Sequence, residues 1–552
     1  METLERLGMV VAGSLAEGLT VRLDGPVSVE DIAVGRYVVI EGERLRFFGM
    51  ITDVRLGMLN EQFRQVPPPI TDPLIAQMVR GTGTFGLVEV TPMLTLPLGE
   101  IATLDGPQPV KTIPAHFAPV QPARPADVAA VFGEEDETHF HIGTPVDMAD
   151  VPVCLNLPRF VERSSGVFGK SGTGKTFLTR LLLIGITQRD AAVSLVFDMH
   201  NEYGWEGSYE DPRYGKVRGL KRLYPEKVAI FTLDKASSLR RQVPFDFEVQ
   251  IPFSQVTPQD IEMLRDTLDL SQPMVDSVYQ LWKRFGHNWL VTFLTAEDAA
   301  AMEEMAAAQG LHAGSLQALH RKLSRLTRLE FMRAEAVDDS VQRLLECLTR
   351  GIHVVLEFGR YSDLTAYVLV ANMLTRRIHD YYVQAMEKHL GNQEAAPQPL
   401  VIAIEEAHKF LNPRVAQQTA FGKIAREMRK YNVTLLVVDQ RPSSIDDEVM
   451  SQIGTRVTYL LDEEKDVAAI LSGVSGAQRL RSVLARLDSR KQAIILGHAV
   501  PMPVVVQTRE YGTPESYRAL GAFLEGAEIA RRTEEKKSAP KLRSAEEEED
   551  WL

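Results

Sequence analysis

From residue 7 to residue 97 the apolar positions fall in short runs broken by glycine, aspartate and proline: LGMVVAGS, LTVRLDG, YVVIEGE, LRFFGMITDVRLG and FGLVEVTPML. β-Branched residues and turn residues at this spacing predict a small all-β barrel. The chain then enters GPQPVKTIPAHFAPVQPARPAD. Its prolines lock φ and lack the amide N–H, so this connector is expected to hold neither regular helix nor central strand. The first domain boundary falls near residue 125. Beyond it the apolar runs VSLVFD, IHVVLEF, LVIAIEE, VTLLVVD and VTYLLD are separated by helix-patterned segments. That alternation predicts an α/β domain with a mostly parallel, buried sheet. From about Thr257 to Leu348 the pattern is almost wholly helical, as in SLQALHRKLSRLTRLEFMRAEAVDDSVQRLLECL, which predicts an insertion between strands. The expected division is 1–125 for barrel and connector, 126–256 and 349–515 for the two parts of the α/β core, 257–348 for the insertion, and 516–552 for a C-terminal helix and acidic tail. From Thr533 the tail is charged and poor in apolar residues, as disordered segments are.

Composition narrows the class. A chain of 552 residues with 45% apolar content can build two or three domains with sizeable cores. Two cysteines, Cys154 and Cys347, are too few for a disulfide framework or clustered zinc site and suit reduced thiols inside a cell. No run reaches the roughly 18 apolar residues of a membrane span, and METLERLGMVV is acidic where a signal peptide needs a basic start. A cytoplasmic location, with no membrane partner, is expected. The net charge of −13 argues against a protein that coats nucleic acid from outside. It leaves room for a ring that touches DNA along a narrow pore.

The chemistry begins at GVFGKSGTGKTFLTRLLL. Gly169, Gly174, Lys175 and Thr176 satisfy G-x-x-x-x-G-K-[ST] between an apolar strand and an amphipathic helix. In such a loop backbone N–H groups close around the β-phosphate, and the helix N-terminus adds its positive end. Lys175 reaches the β/γ oxygens and the Thr176 hydroxyl binds Mg²⁺. Gly169, Lys170, Ser171, Gly172, Thr173, Gly174, Lys175, Thr176 and Phe177 are therefore the candidate ATP-binding set.

Such a loop also needs an acid for Mg²⁺ and a group that activates water. LVIAIEEAH supplies Glu405 for the metal shell and Glu406 for the attacking water; the competing reading is a helix N-terminus enriched in acids. LVFDMHNEYG offers Asp198 and Glu202 at a second strand end, with a plain turn as the rival. VTLLVVDQRPSS ends in Gln440 and Arg441; one reading has Gln440 touching the γ-phosphate, the other is a surface turn before Pro442. IAREMRKYN brings Arg426, Arg429 and Lys430, either a solvated face or arginines serving a neighbour's ATP. Three look-alikes are set aside. LSGVSGAQR imitates the ABC-transporter signature but follows the acidic strand instead of preceding it. EEAH imitates a DEAH box without the later helicase motif. His139 and His141 in HFHIG lack a third metal ligand.

Taken in order, ERSSGVFGKSGTGKT, FDMHNEYG, IEEAHKFLNP and IAREMRKYNVTLLVVDQRPSSIDDEVMSQIGTR, after an N-terminal barrel, resemble the HerA family of HerA/FtsK translocases. The resemblance runs from the barrel to about Gln507. It implies a RecA-like P-loop ATPase core with a helical insertion behind a HAS-like barrel. It also implies ATP and Mg²⁺ as cofactors, a catalytic Glu406 and a sensor Gln440. The arginine twelve positions before the P-loop lysine, here Arg163, acts in such rings on the neighbouring subunit's ATP, and Arg429 matches a second functional arginine. Asp439, Met428 and Asn201 stand where relatives often have Ser, Gly and Gly. The implied machine is a nucleoid-associated homohexamer that drives double-stranded DNA through its pore, with a NurA-like nuclease or another effector docked on the barrel face. DNA-end processing and phage defence are the implied settings. The alternative is a nucleotide-dependent scaffold that activates a partner enzyme without translocation.

Overall fold

The barrel strands form where the pattern places them. In this computed structural model, which describes residues 6–66, 71, 79, 83–97, 107–208, 215–296, 299–308, 310–335, 339–361, 364–392, 394–414, 416, 420–474, 476–488 and 491–521, they are β1 (Gly8–Ser14), β2 (Gly18–Leu23), β3 (Tyr37–Glu41), β4 (Leu45–Met58) and β5 (Thr84–Pro97), followed by β6 (Gln108–Pro109) and β7 (Pro119–Pro122). Their order is β2-β1-β7-β3-β4-β5-β6, and a further antiparallel pairing of β2 with β5 closes the barrel. Inward positions such as Val10, Leu19, Val21, Ile40, Phe47 and Val90 fill its interior. The tail expected to be disordered lies outside the described residues.

The connector corrects the expectation. β7 sits between β1 and β3, so it is a central strand, and Pro125–Phe132 is a helix. The prolines at 119 and 122 stand at the ends of β7. The carbonyls of Ala118 and Val120 accept from the N–H groups of Val10 and Leu7 at 3.1 and 2.9 Å, which needs no proline donor. Val120 is buried in the barrel. Pro125 opens its helix at a position where an N–H has no partner anyway, and Asp127 accepts the Arg124 N–H at 2.9 Å to complete a capping box.

The α/β part contains β8 (His139–Pro145), β9 (Val153–Asn156), β10 (Ser165–Phe168), β11 (Val193–Asp198), the hairpin β12 (Glu206–Ser208) and β13 (Lys216–Arg218), β14 (Val228–Thr232), β15 (Phe247–Glu248), the short pair β16 (Ile251–Pro252) and β17 (Met332–Arg333), β18 (His353–Glu357), β19 (Leu400–Glu405), β20 (Val433–Asp439), β21 (Thr455–Thr458), β22 (Gln492–Gly497) and β23 (Val504–Thr508). One 12-stranded sheet runs β15-β14-β18-β11-β19-β20-β10-β21-β22-β23-β8-β9. It is parallel from β15 to β21 and antiparallel from β21 onward. Every residue of β10, β11, β14, β18 and β20 is buried, as expected for strands covered on both faces. The run VTYLLD is strand only through Thr458: the Tyr459 N–H still donates to Phe168 at 2.9 Å, and the chain then bends to receive the Lys170 N–H at the Leu460 carbonyl. Between β16 and β18 the chain is mainly helical, including Gln272–Phe285, Ala313–Leu323 and Ser340–Thr349. No described helix is long and apolar enough to cross a membrane.

Barrel and sheet share a core. Tyr37 is fully buried, and its hydroxyl accepts the Val505 N–H at 2.8 Å. Arg479 Nη2 donates to the Ala16 carbonyl at 2.8 Å, and the Ser482 hydroxyl to the Thr52 carbonyl at 2.9 Å. The segment that imitates an ABC signature thus lies against the barrel.

A buried histidine in this sheet gives a pH-dependent stability. His353 Nδ1 accepts the Ser194 N–H at 3.1 Å, and burial holds the imidazole down at about 4. The unfolded chain takes up a proton near pH 6.5 that the folded chain refuses. The stabilisation is therefore intact above that pH and drains as pH falls toward about 4, by on the order of 3 kcal/mol. His353→Gln should shrink the drop in melting temperature between pH 7 and pH 4.5. An undiminished drop would assign the acid sensitivity to other groups.

Candidate active site

β10 delivers the phosphate loop and the helix Lys175–Gln188 receives it. Gly169, Gly172 and Gly174 have φ of 150°, 75° and 100°, values that penalise a side chain. A Cβ on Gly169 would meet Tyr459 Cβ at 2.7 Å. The Thr173 hydroxyl donates to the Lys170 carbonyl at 2.8 Å, and Lys175 Nζ donates to the same carbonyl at 2.8 Å. Lys170 Nζ pairs with Asp462 at 3.1 Å. Each contact pins the loop open over a cleft of about 340 Å³.

Ser171, Gly172, Gly174, Lys175, Thr176 and Phe177 line one wall; His200, Glu202, Glu405, Glu406, Asp439 and Gln440 line the other. The second wall is built by adjacent strands. β19 carries Glu405, β20 leads to Gln440, and β20 lies between β19 and β10. Glu406 has φ of 49°, rare for a residue with a side chain and frequent at working sites. Its Oε1 accepts from Gln440 Nε2 at 3.0 Å. Asp439 is fully buried and accepts the His408 backbone N–H at 2.7 Å, while His408 Nδ1 lies 3.0 Å from the carboxylate. That hydrogen bond raises the His408 pKa.

Glu405 is half-buried at the wall of the cleft. One oxygen accepts from the Tyr203 hydroxyl at 2.8 Å; the other, Oε2, is buried without a hydrogen-bond partner. Burial raises the pKa of this carboxyl. A half-buried carboxylate with one buried oxygen that no hydrogen bond engages, lining the same cleft as a P-loop threonine, fits a divalent cation held by Glu405 and Thr176. Asp198 does not join the lining. It is fully buried and accepts the Glu202 and Tyr203 N–H groups, both at 2.8 Å, so it shapes the turn that delivers Glu202 and Tyr203. Burial, with Glu357 nearby, pushes its pKa up to about 8.

The two arginines lie elsewhere. Arg163 lies two residues before β10 at its entry end, and its stem rests on Gly454, where a Cβ would approach to 2.7 Å. Arg429 precedes β20 and pairs with Glu162, which also meets His498 Nε2 at 2.9 Å. The P-loop and Gln440 follow the opposite ends of the same strands. At about 3.3 Å per strand residue, each arginine is set back from its own phosphate loop by about 20 Å. Arg426 instead pairs with Glu448 at 3.5 Å.

With this geometry the comparisons have a frame. The profile described as "Helicase HerA, central domain" matches residues 140–378, and "HAS barrel domain" matches residues 7–82. The chain is similar to the DNA double-strand break repair helicase HerA of Saccharolobus solfataricus, 22% identical over 523 residues and covering 91% of each chain. Both domain profiles mark the chain as similar to HerA. The chain is a P-loop ATPase. The HerA of Pyrococcus furiosus is 21% identical over 400 residues, 66% of this chain and 68% of that one. Among solved structures, VirB4 of Thermoanaerobacter pseudethanolicus aligns with a TM-score of 0.45 at 14% identity, over 70% of this chain and 100% of that one.

The departures from HerA relatives now have local explanations. Asn201 takes up the left-handed φ of 58° that suits glycine, and its amide bonds both ways to Gly359, at 2.8 and 3.0 Å. Asp439 is the anchor of His408. Met428 is buried beside β20. Sequence reading missed Tyr203, His200, His408 and Arg180. Arg180 is fully buried in the P-loop helix and donates to the Glu202 carbonyl at 3.0 Å. Tyr203 and His200 stood inside FDMHNEYG and His408 inside EEAHK, but nothing in the spacing marks which side chain turns inward.

Proposed function

We propose that this HerA-like ATPase works as a homohexamer that drives double-stranded DNA through a central pore, with a nuclease or other effector docked on the barrel face. The observation that carries the reading is the position of Arg163 and Arg429 at the sheet edge opposite the cleft. Set back by about 20 Å from their own P-loop, they can meet phosphate only on another subunit. A head-to-tail contact of that kind closes into a ring when the rotation permits.

Within one cleft the loop N–H groups bind the β-phosphate and Lys175 reaches the β/γ oxygens. Thr176 and Glu405 would hold Mg²⁺, which would neutralise phosphate charge there. Tyr203 fixes the orientation of Glu405 through its hydrogen bond. Glu406 orients and polarises the attacking water, and Gln440, bonded to it, ties that orientation to the end of β20. The relatives named as break-repair helicases favour DNA-end processing as the setting; phage defence uses the same motor chemistry.

ATPase turnover with and without duplex DNA, measured beside the mass of the assembly, tests the reading. Turnover should rise with DNA alone, on a particle of six chains. A rise that appears only with the partner would favour a nucleotide-dependent scaffold. The barrel role is tested without removing the barrel, because Tyr37 is buried against Val505. Leu56 and Leu59 are 79% and 68% exposed on the barrel. Leu56→Asp with Leu59→Asp should abolish capture of the docked nuclease or effector and leave turnover unchanged. Capture at full affinity would move the partner site onto the motor.

A further inference from the structure

We propose that the helical insertion carries a binding site for the phosphodiester backbone of duplex DNA, formed by Arg321, Arg325, Arg328 and Arg333. The helix Ala313–Leu323 runs straight into the 3₁₀ turn Ser324–Arg328. Leu316, Leu319, Leu323 and Leu326 are buried along one side. Helical periodicity therefore turns Arg321, Arg325 and Arg328 to the other side, and these three and Arg333 are exposed. Successive arginines on the stripe are about 6 Å apart along the axis.

The neighbouring charges are already engaged. Lys322 pairs with Asp269 at 3.0 Å, and Glu330 with Arg360 at 2.5 Å. Among the described residues no hydrogen bond, ion pair or ring contact engages any of the four guanidinium groups. Residues 313–333 hold five lysines and arginines and a single acid, Glu330, in a chain whose net charge is −13. Like charges at i and i+4 destabilise a helix, so an unpaired stripe on a rigid element is favourable only when something outside supplies the counter-charge. A DNA duplex does so with one phosphate charge per about 1.7 Å of axis. Arginine's planar fork suits phosphate oxygens, and contacts to phosphate carry no sequence information, as a translocating motor requires.

This inference rests on the DNA reading above, and the test separates the two. The full-length chain carrying Arg321→Gln, Arg325→Gln and Arg328→Gln is titrated with a fluorescent duplex oligonucleotide at several salt concentrations. Each lost phosphate contact lowers the slope of log K against log [salt] by about 0.9, so the triple variant should fall short of wild type by nearly 3. Its DNA-independent turnover should be unchanged, and lysines at the same positions should restore most of the slope. Wild-type slope and affinity in the glutamine variant would overturn the site, and loss of the ring with intact DNA binding would reassign the stripe to a subunit contact. Wild-type protein that shows no salt-dependent duplex binding would remove the DNA reading itself.

Discussion

Arg163→Ala should abolish ATP turnover while leaving each subunit's nucleotide affinity nearly intact. A guanidinium inserted from the neighbour stabilises charge on the transferring phosphoryl group, an effect of about 10³ to 10⁵ in rate in well-studied cases. In its own subunit Arg163 lies at the entry end of β10, with the phosphate loop beyond the other end. Loss of binding in the single variant would contradict that separation. Subunits carrying Lys175→Ala retain Arg163 but lack the loop lysine, so a mixture of the two variants should contain some complete interfaces and regain activity. A mixture that stays inactive, although mixed assemblies are shown to form and isolated interfaces are competent, would end the trans assignment. Gly454 supplies a control within the same argument: the Arg163 stem lies where its Cβ would be, so Gly454→Ala should reproduce part of the Arg163→Ala defect.

Glu406→Gln should bind ATP and Mg²⁺ and turn over about 10² to 10⁴ times more slowly, the usual range for a lost proton-accepting or water-orienting group. Lys175→Ala should instead lose nucleotide binding. The glutamine variant is informative because it keeps the side-chain shape on a backbone already held at a φ of 49°. Its amide can still meet Gln440, so folding and the cleft should survive. Single-turnover hydrolysis measured beside equilibrium nucleotide binding separates chemistry from affinity. Near-normal turnover would remove Glu406 from the water-activating role and turn attention to His200, Glu202 and Glu405, titratable groups that also line the cleft.

The phosphate loop was legible because its chemistry is local. Glycines at fixed offsets, a lysine and a threonine create the anion site from consecutive backbone, and the structure gives all three loop glycines positive φ. Glu405, Glu406 and Gln440 were legible for a related reason: each follows an apolar run, and a parallel sheet collects such strand ends along one edge. The connector was misread because proline's missing donor matters only where a ladder needs one. In β7 the neighbours draw on the carbonyls of Ala118 and Val120, a fact that depends on β1 lying alongside.

By itself the sequence determined the strands of the barrel, the alternation that makes the α/β sheet and the glycine-rich loop that lines the cleft, because periodicity and loop chemistry act over a few consecutive positions. Strand order, fixed by contacts between distant segments, was left to the tertiary structure. That order sets β20 between β19 and β10, brings Gln440 within 3.0 Å of Glu406, and seals Asp198 away from the cleft it was expected to line. It also carries Tyr203 to Glu405 and Tyr37 to Val505, across 202 and 468 residues of chain. Burial and hydrogen bonding between such distant residues are properties of the packed chain, and no local pattern encodes them.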